Sequence, residues 1–392
     1  MTFAARLVAY SPGGARLSSL LLDAVDWDAS FPHDDVAALS LSYPSVADAA
    51  AELVDGPAEI AVEVSDGGAW VEPRNARFLS SEVPSNDAQP LDVPKFTFRG
   101  LGALLERPMV LRKADNPGKP YGSDDKRNFL SASAGQIILS VVQESRAKYE
   151  RMLEGITFGF TASKDSLGNN WNKLDSLAFE PGTDLLRILE DATARGICDW
   201  WMQGRELMVV NADSAAVTRS LRLNLSDATE SPVRATFEGM ATRVALEGAE
   251  GRYWEQAVQG ASVPYGDRVV RAASDAISTD GTALDLLGRN ALQATAPRRE
   301  YTRAIAVIDS APLLDWQVGD WVQMRGRDEW ESVRVFEAGL SFKASDAVIS
   351  ARVTLNDRFV DASVRDAKRL KGIAHGTTQN LGSGGIPSRA DK

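Results

Sequence analysis

In Glu59-Ile-Ala-Val-Glu-Val-Ser65 the apolar residues Ile60, Val62 and Val64 alternate with Glu59, Ala61, Glu63 and Ser65. A period of two puts the sets on opposite faces of an extended chain, so the segment reads as a β-strand with one face on a core. Asp66-Gly67-Gly68 then turns the chain, and Ala69-Trp70-Val71 resumes the apolar character, which predicts a hairpin over residues 58–72. The same alternation recurs at Leu221/Leu223/Leu225, Val244/Leu246, Tyr301/Arg303/Ile305/Val307 and Val353/Leu355. Arg6 to Tyr10, Val36 to Tyr43 and Lys95 to Arg99 add short candidates, so the chain is expected to be rich in strands, with a small sheet or barrel over residues 1 to 105.

Helices interrupt this pattern in three places. Ser133 stands three residues before Gln136 in a capping-box arrangement, and Ile137, Ile138, Val141 and Val142 then share one helical face. Leu185, Ile188, Leu189 and Ala192 form a second stripe, with Thr183 as the expected cap and Gly196 where a left-handed C-terminal residue is wanted. Ile197 to Gln203 and Glu206 to Asn211 flank Gly204-Arg205, so a β-hairpin follows that helix. The third helix, over residues 282–296, uses Leu284, Leu287, Ala291 and Ala294 and is stopped by Pro297. Between elements, Arg112 to Asn128 reads as a long polar loop, Gln317-Val-Gly-Asp-Trp-Val322 as a turn into a strand, and the Gly/Ser-rich segment from Leu381 as a flexible tail.

Composition narrows the chemistry. A chain of 392 residues has room for several domains at roughly 100–200 residues each. Hydrophobic residues make up 44% and charged residues 25%, the usage of a globular protein. Two histidines, His33 and His375, and one cysteine, Cys198, cannot supply a Cys₄, Cys₂His₂ or His₃ metal site or an intrachain disulfide. The N-terminus lacks the layout of a signal peptide, and the strongest apolar run, Ile137 to Val142, is far shorter than a membrane span, so a soluble protein without a membrane anchor is expected.

The net charge of −11 disfavours a protein that grips nucleic acid through phosphate contacts. Its distribution is uneven: residues 365–392 hold six Lys/Arg and two acids, a balance of +4, which leaves −15 on residues 1–364. Lys368-Arg369-Leu-Lys371 reads as the solvated last turn of a helix, where cations suit the dipole, rather than as a docking patch for an acidic partner.

No His-Glu-x-x-His, Gly-x-Ser-x-Gly, phosphate-binding loop or dinucleotide fingerprint occurs. His33 in Phe31-Pro-His-Asp-Asp35 has a carboxylate beside it that could orient a general base, but a surface turn of Pro and Asp is the plainer reading. Cys198 precedes Asp199, and a neighbouring carboxylate disfavours the thiolate, so a buried structural cysteine is expected. Trp200, Trp201, Trp316, Trp321 and Trp330 lie in or beside strands, where a large ring belongs to a core or interface more often than to a stacking platform. No catalytic, cofactor-binding or metal-binding residue is assigned. The 54 acids leave a carboxylate pair for cell-wall hydrolysis as a third reading, and stacking of Trp321 and Trp330 on host glycans as a second.

Four stretches carry a resemblance: Asp66-Gly-Gly-Ala-Trp-Val-Glu-Pro73 with Arg77; Gly182-Thr-Asp-Leu-Leu-Arg-Ile-Leu189 to Gly196 with its hairpin; Val318-Gly-Asp-Trp-Val322; and Leu355-Asn-Asp-Arg-Phe359 running into Arg369-Leu-Lys-Gly372. In that order the chain resembles the minor tail proteins of tailed bacteriophages, in particular the tail-tip or baseplate hubs of siphophages. The resemblance implies an α+β, β-rich fold with two small β-barrel-like domains and helix-containing inserts. It divides the chain into a barrel-like domain (1–110), a polar loop with a helix-and-hairpin unit (111–215), a second barrel-like domain carrying the 282–296 helix (216–364), and a short basic helix with a Gly/Ser-rich tail (365–392). It also implies a homotrimer at the virion's tail tip, made in the host bacterial cytoplasm. There it would meet a distal tail protein ring, the tape-measure protein and fibre or other tip proteins, with DNA only as passing cargo and no cofactor.

Overall fold

The computed structural model describes residues 3–17, 26–42, 59–82, 95–110, 126–194, 196–212, 214, 218–223, 233–236, 242–247, 253–257, 269–273, 298–305, 311–325, 330–344 and 348–356. The expected 282–296 helix, the basic cluster at 368–371 and the tail from Leu381 lie outside these residues, as does all of the 112–128 loop except its last three.

Between residues 4 and 100 the described residues form six strands: β1 (Ala4–Tyr10), β2 (Asp26–Pro32), β3 (Ala38–Ser42), β4 (Glu59–Ser65), β5 (Arg77–Glu82) and β6 (Lys95–Gly100). The candidates at 6–10, 36–43, 59–65 and 95–99 are all among them. After the turn at 66–68 only Val71 pairs back, in a single bridge to Val64, and the strands that partner β4 are β1 on one side and β5 on the other. The 58–72 hairpin is therefore one residue pair deep. Pro73 follows almost at once, and a residue without an N–H cannot extend a ladder.

A 3-10 helix (Leu101–Glu106) leads into the middle of the chain, which holds β7 (Arg127–Ala132), α1 (Ala134–Lys148), β8 (Thr157–Phe158), β9 (Asp175–Phe179), α2 (Leu185–Ala194), β10 (Cys198–Gln203) and β11 (Glu206–Asn211). β7 begins at Arg127, inside the segment expected to be loop. α1 starts with the complete capping box: the Gln136 N–H donates to Ser133 Oγ at 3.1 Å and the Ser133 N–H to Gln136 Oε1 at 2.9 Å. α2 is capped one residue later than expected. The Arg187 N–H donates to Asp184 Oδ1 at 2.7 Å, whereas the Thr183 hydroxyl donates backwards to the Glu180 carbonyl. Gly196 has the expected left-handed backbone, φ +66°. The 198–211 hairpin turns at Gly204, φ +56°.

Strands dominate the rest: β12 (Thr218–Leu223), β13 (Val233–Thr236), β14 (Arg243–Glu247), β15 (Tyr253–Ala257), β16 (Val269–Ala273), β17 (Arg298–Ile305), β18 (Trp321–Arg325), β19 (Trp330–Lys343) and β20 (Val348–Asn356). The chain is thus an α+β protein rich in strands, as its alternation demands.

Twelve of the described strands join in one sheet with the path β1-β4-β5-β6-β3-β2-β19-β20-β17-β13, with β18 and β12 branching from β19. The crossing point is β2 on β19, in antiparallel register from Pro32↔Glu337 to Trp27↔Phe342. There the Ser30 hydroxyl donates to Glu337 Oε1 at 2.7 Å. Strands about 300 residues apart in sequence therefore share a ladder. One apolar core serves them both, with Phe31, Phe78, Phe96 and Phe98 packed beside Trp316, Val335 and Leu355. Each such large apolar side chain contributes about 1.5–3 kcal/mol when fully buried. A second core, drawn from residues 101–209, gathers α1, α2, the 3-10 helix and the hairpin around Trp200.

Candidate functional site

β4 departs from the alternation that announced it. All seven of its residues are buried, Glu59 and Glu63 included. Guanidinium groups make this tolerable. Arg6 Nη2 lies 2.5 Å from Glu63 Oε2, Arg77 Nη1 lies 3.4 Å from Glu59 Oε2, and Arg205, on the hairpin turn, pairs with Glu59 as well. Arg77 also holds Glu72 at 2.5 Å and lies 3.8 Å from the Tyr10 ring centroid, while Arg6 lies 4.1 Å from that of the exposed Trp70. Burial and the Glu63 charge push the Tyr10 phenol above its ordinary range. Burial works to lower the Arg77 pKa, but the hydrogen bond and charge of Glu72 outweigh it and hold that guanidinium more firmly charged. The polar face of β4 is therefore a layer of paired charges, not a solvated surface.

A second polar constellation forms where three parts of the chain meet. β2 ends at Pro32, and the next two residues turn under β19. β19 carries a bulge between Val335 and Glu337, which leaves the Phe336 carbonyl free to accept the His33 N–H at 2.8 Å. Asp34 follows in a left-handed conformation, φ +53°, and its Oδ1 accepts the Trp200 N–H at 2.7 Å. Asn75, φ +58°, completes the join: its Nδ2 donates to the Pro32 carbonyl at 3.0 Å and its Oδ1 accepts the Met202 N–H at 2.8 Å. The edge of β10 away from β11 is thus closed by side chains of the main sheet.

The side chains between these backbones are charged and buried. Arg334 Nη2 lies 3.0 Å from Asp199 Oδ2, and Arg334 Nε donates to the Gly319 carbonyl at 2.8 Å. His33 Nε2 lies 3.1 Å from Asp34 Oδ2 and 3.9 Å from Asp199 Oδ1. The imidazole packs on Gly319, φ +91°, where an added Cβ would stand 3.0 Å from the ring. Beyond it, Asp320 Oδ2 accepts the Gln317 N–H at 3.0 Å, and Asp320 Oδ1 faces Arg74 at 4.0 Å. Arg74 in turn stacks 4.3 Å from the Trp201 ring centroid.

His33 is therefore in a turn, as expected, but not at the surface: it is 5% exposed, because β10 and the 317–320 turn cover it. Cys198 is fully buried, in line with a structural role. Trp200, Trp201 and Trp316 are core residues, and Trp321 and Trp330 are half-buried. The sequence raises Asp34 only as a carboxylate beside His33 and Asp199 only as the neighbour of Cys198, and it gives no role to Arg334. The available signal was a charged residue inside the apolar run Ile197-Cys-Asp-Trp-Trp-Met202, since a charge there needs a partner.

Chemically this seam is a joint. Among the described residues His33, Asp34 and Asp199 are the one group offering three metal-type donor atoms within 4.8 Å of one another. One oxygen of each carboxylate is already committed, to the Trp200 N–H and to Arg334, and a protein cation already stands in the cluster. The donor set fits internal ion pairing better than a metal ion.

No protein-family model and no curated protein matches the sequence. Among solved structures, a 43 kDa prophage tail protein from Shewanella oneidensis is similar over 90% of this chain and 98% of its own, at 14% identity and a TM-score of 0.54. A tail protein from Neisseria meningitidis is similar over 90% and 96%, at 10% identity and a TM-score of 0.55. A prophage tail protein from Listeria monocytogenes is similar over 93% and 99%, at 11% identity and a TM-score of 0.52. The likeness is one of fold, and it runs through nearly the whole of each chain.

Proposed function

We propose that this chain is a structural protein of a phage tail tip, of the siphophage hub type: it caps and extends the tail tube, organises attached tip proteins and lines a channel for DNA ejection. The observation that carries this reading is the end-to-end fold likeness to tail proteins of nearly the same length, in a chain where one sheet joins strands of residues 4–100 to strands of residues 298–356. The division at residues 110, 215 and 364, with two barrel-like domains per subunit, belongs to the same proposal. Three copies would then present a pseudo-sixfold ring to the tube and contact a distal tail protein ring, the tape-measure protein and fibre proteins. The protein would be made in the host cytoplasm and reside in the virion.

The acidic balance suits a channel wall. A surface carrying −15 over residues 1–364 repels phosphates and lets a genome slide past, whereas each cationic contact would add salt-dependent affinity. Trp200, Trp201 and Trp316 are buried, which leaves the alternative of glycan stacking to the half-buried Trp321 and Trp330.

Native mass measurement tests the reading. A trimer of 42.3 kDa subunits that forms as concentration rises supports it. A monomer at every concentration, or a lytic band on host peptidoglycan, overturns it.

A further inference from the structure

Between β8 and β9 the chain makes an excursion that adds no apolar side chain to either core. Of residues 161–170 only Asp165 is buried and Ser166 half-buried, while the other eight face solvent. The excursion is nevertheless tightly held. Asp165 Oδ1 accepts the N–H groups of Leu167 and Asn169 at 3.0 and 2.8 Å, and its Oδ2 accepts the backbone N–H and Nδ2 of Asn211, on β11, at 3.2 and 2.9 Å. The Ser166 N–H donates to the Val209 carbonyl at 2.9 Å, and the Val209 N–H returns a bond to Ser166 Oγ at 2.8 Å. At the base, the Ser133 hydroxyl at the start of α1 donates to the Ala162 carbonyl at 2.8 Å, and Trp171 Nε1 donates to the Thr161 carbonyl at 3.1 Å.

Desolvating a carboxylate to order a loop that buries no apolar residue brings no core stability. What it fixes is the outward face: Leu167, 51% exposed, with the exposed Asn170 and the exposed Lys164, which no carboxylate of the described residues holds. A face ordered before contact loses little conformational entropy on binding. We infer that the 161–170 loop is a recognition loop that docks a second protein of the tail tip, one that offers an apolar socket to Leu167 and a carboxylate at the socket's rim to Lys164. This rests on the tail-tip reading, which supplies such neighbours. An apolar knob gains nothing from a sugar hydroxyl or a phosphate, whereas a protein socket removes it from water.

Cys198, the chain's one cysteine, is fully buried, so Leu167→Cys adds a single reachable thiol. A maleimide should label it readily in the free full-length chain, and about tenfold or more slowly in assembled tails carrying the same variant. Adding Lys164→Glu should return the rate in tails towards that of the free chain. A photo-crosslinking amino acid in place of Leu167 should join to a different tail protein, at a site holding Asp or Glu. Equal labelling in tails and free chain overturns the inference, as does a cross-link confined to glycan or to copies of this chain. Protection that Lys164→Glu leaves intact overturns the carboxylate rim. Tails whose protein content lacks the chain overturn the tail-tip reading itself, a result told apart from the others before any labelling.

Discussion

The guanidinium of Arg334 lies 3.0 Å from the carboxylate of Asp199, with both side chains 1% exposed, and so ties β19 to β10 across 135 residues of sequence. Removing one partner strands the other charge where water does not reach it.

Arg334→Met should therefore destabilise the protein by about 3–5 kcal/mol, read as a fall in the urea midpoint, whereas Arg334→Met combined with Asp199→Leu should recover most of that loss. Equal loss in the single and double variants would show that the pair's packing, and not its charge balance, holds the seam.

Among the described residues, Gly135 is the glycine with the least room for a Cβ. A Cβ there would stand 2.2 Å from the Thr161 carbonyl oxygen and 2.7 Å from Trp171 Nε1. Since the carbonyl belongs to backbone, Gly135→Ala should cost about 3 kcal/mol despite alanine's better helix propensity. A thermal midpoint at or above that of the parent would contradict the packing of α1 on the 161–171 loop.

The two residues before α2 make opposite predictions to those of sequence pattern. Asp184→Ala removes the acceptor of the Arg187 N–H and should cost about 1 kcal/mol, while Thr183→Ala removes only a bond to the Glu180 carbonyl and should cost less than half of that. Denaturant unfolding of both variants ranks them.

Burial and Glu63 disfavour ionisation of Tyr10, so its phenol should titrate above the ordinary range of an exposed tyrosine. A pKa raised in the fold gives stability that is fully present below the ordinary phenol value and lost as pH rises through the shifted one. Ultraviolet titration should show a late component that Tyr10→Phe abolishes, and that variant should lose less stability at high pH.

The sequence by itself determined what is local: the period-two strands at 6–10, 59–65, 301–305 and 353–355, the Ser133–Gln136 capping box, the α2 stripe, and the left-handed glycines at 196 and 204. These follow from steric and hydrogen-bonding rules acting over a few residues, which any close neighbour in the chain reveals. Only the tertiary structure decided that Glu59 and Glu63 are buried, since their partners Arg6, Arg77 and Arg205 lie between 18 and 146 residues away. It likewise decided that the turn at His33 lies inside the molecule and that β2 pairs with β19. An alternating strand shows which face is apolar; what covers the polar face depends on charges brought from elsewhere, and spacing along the chain carries no record of that encounter.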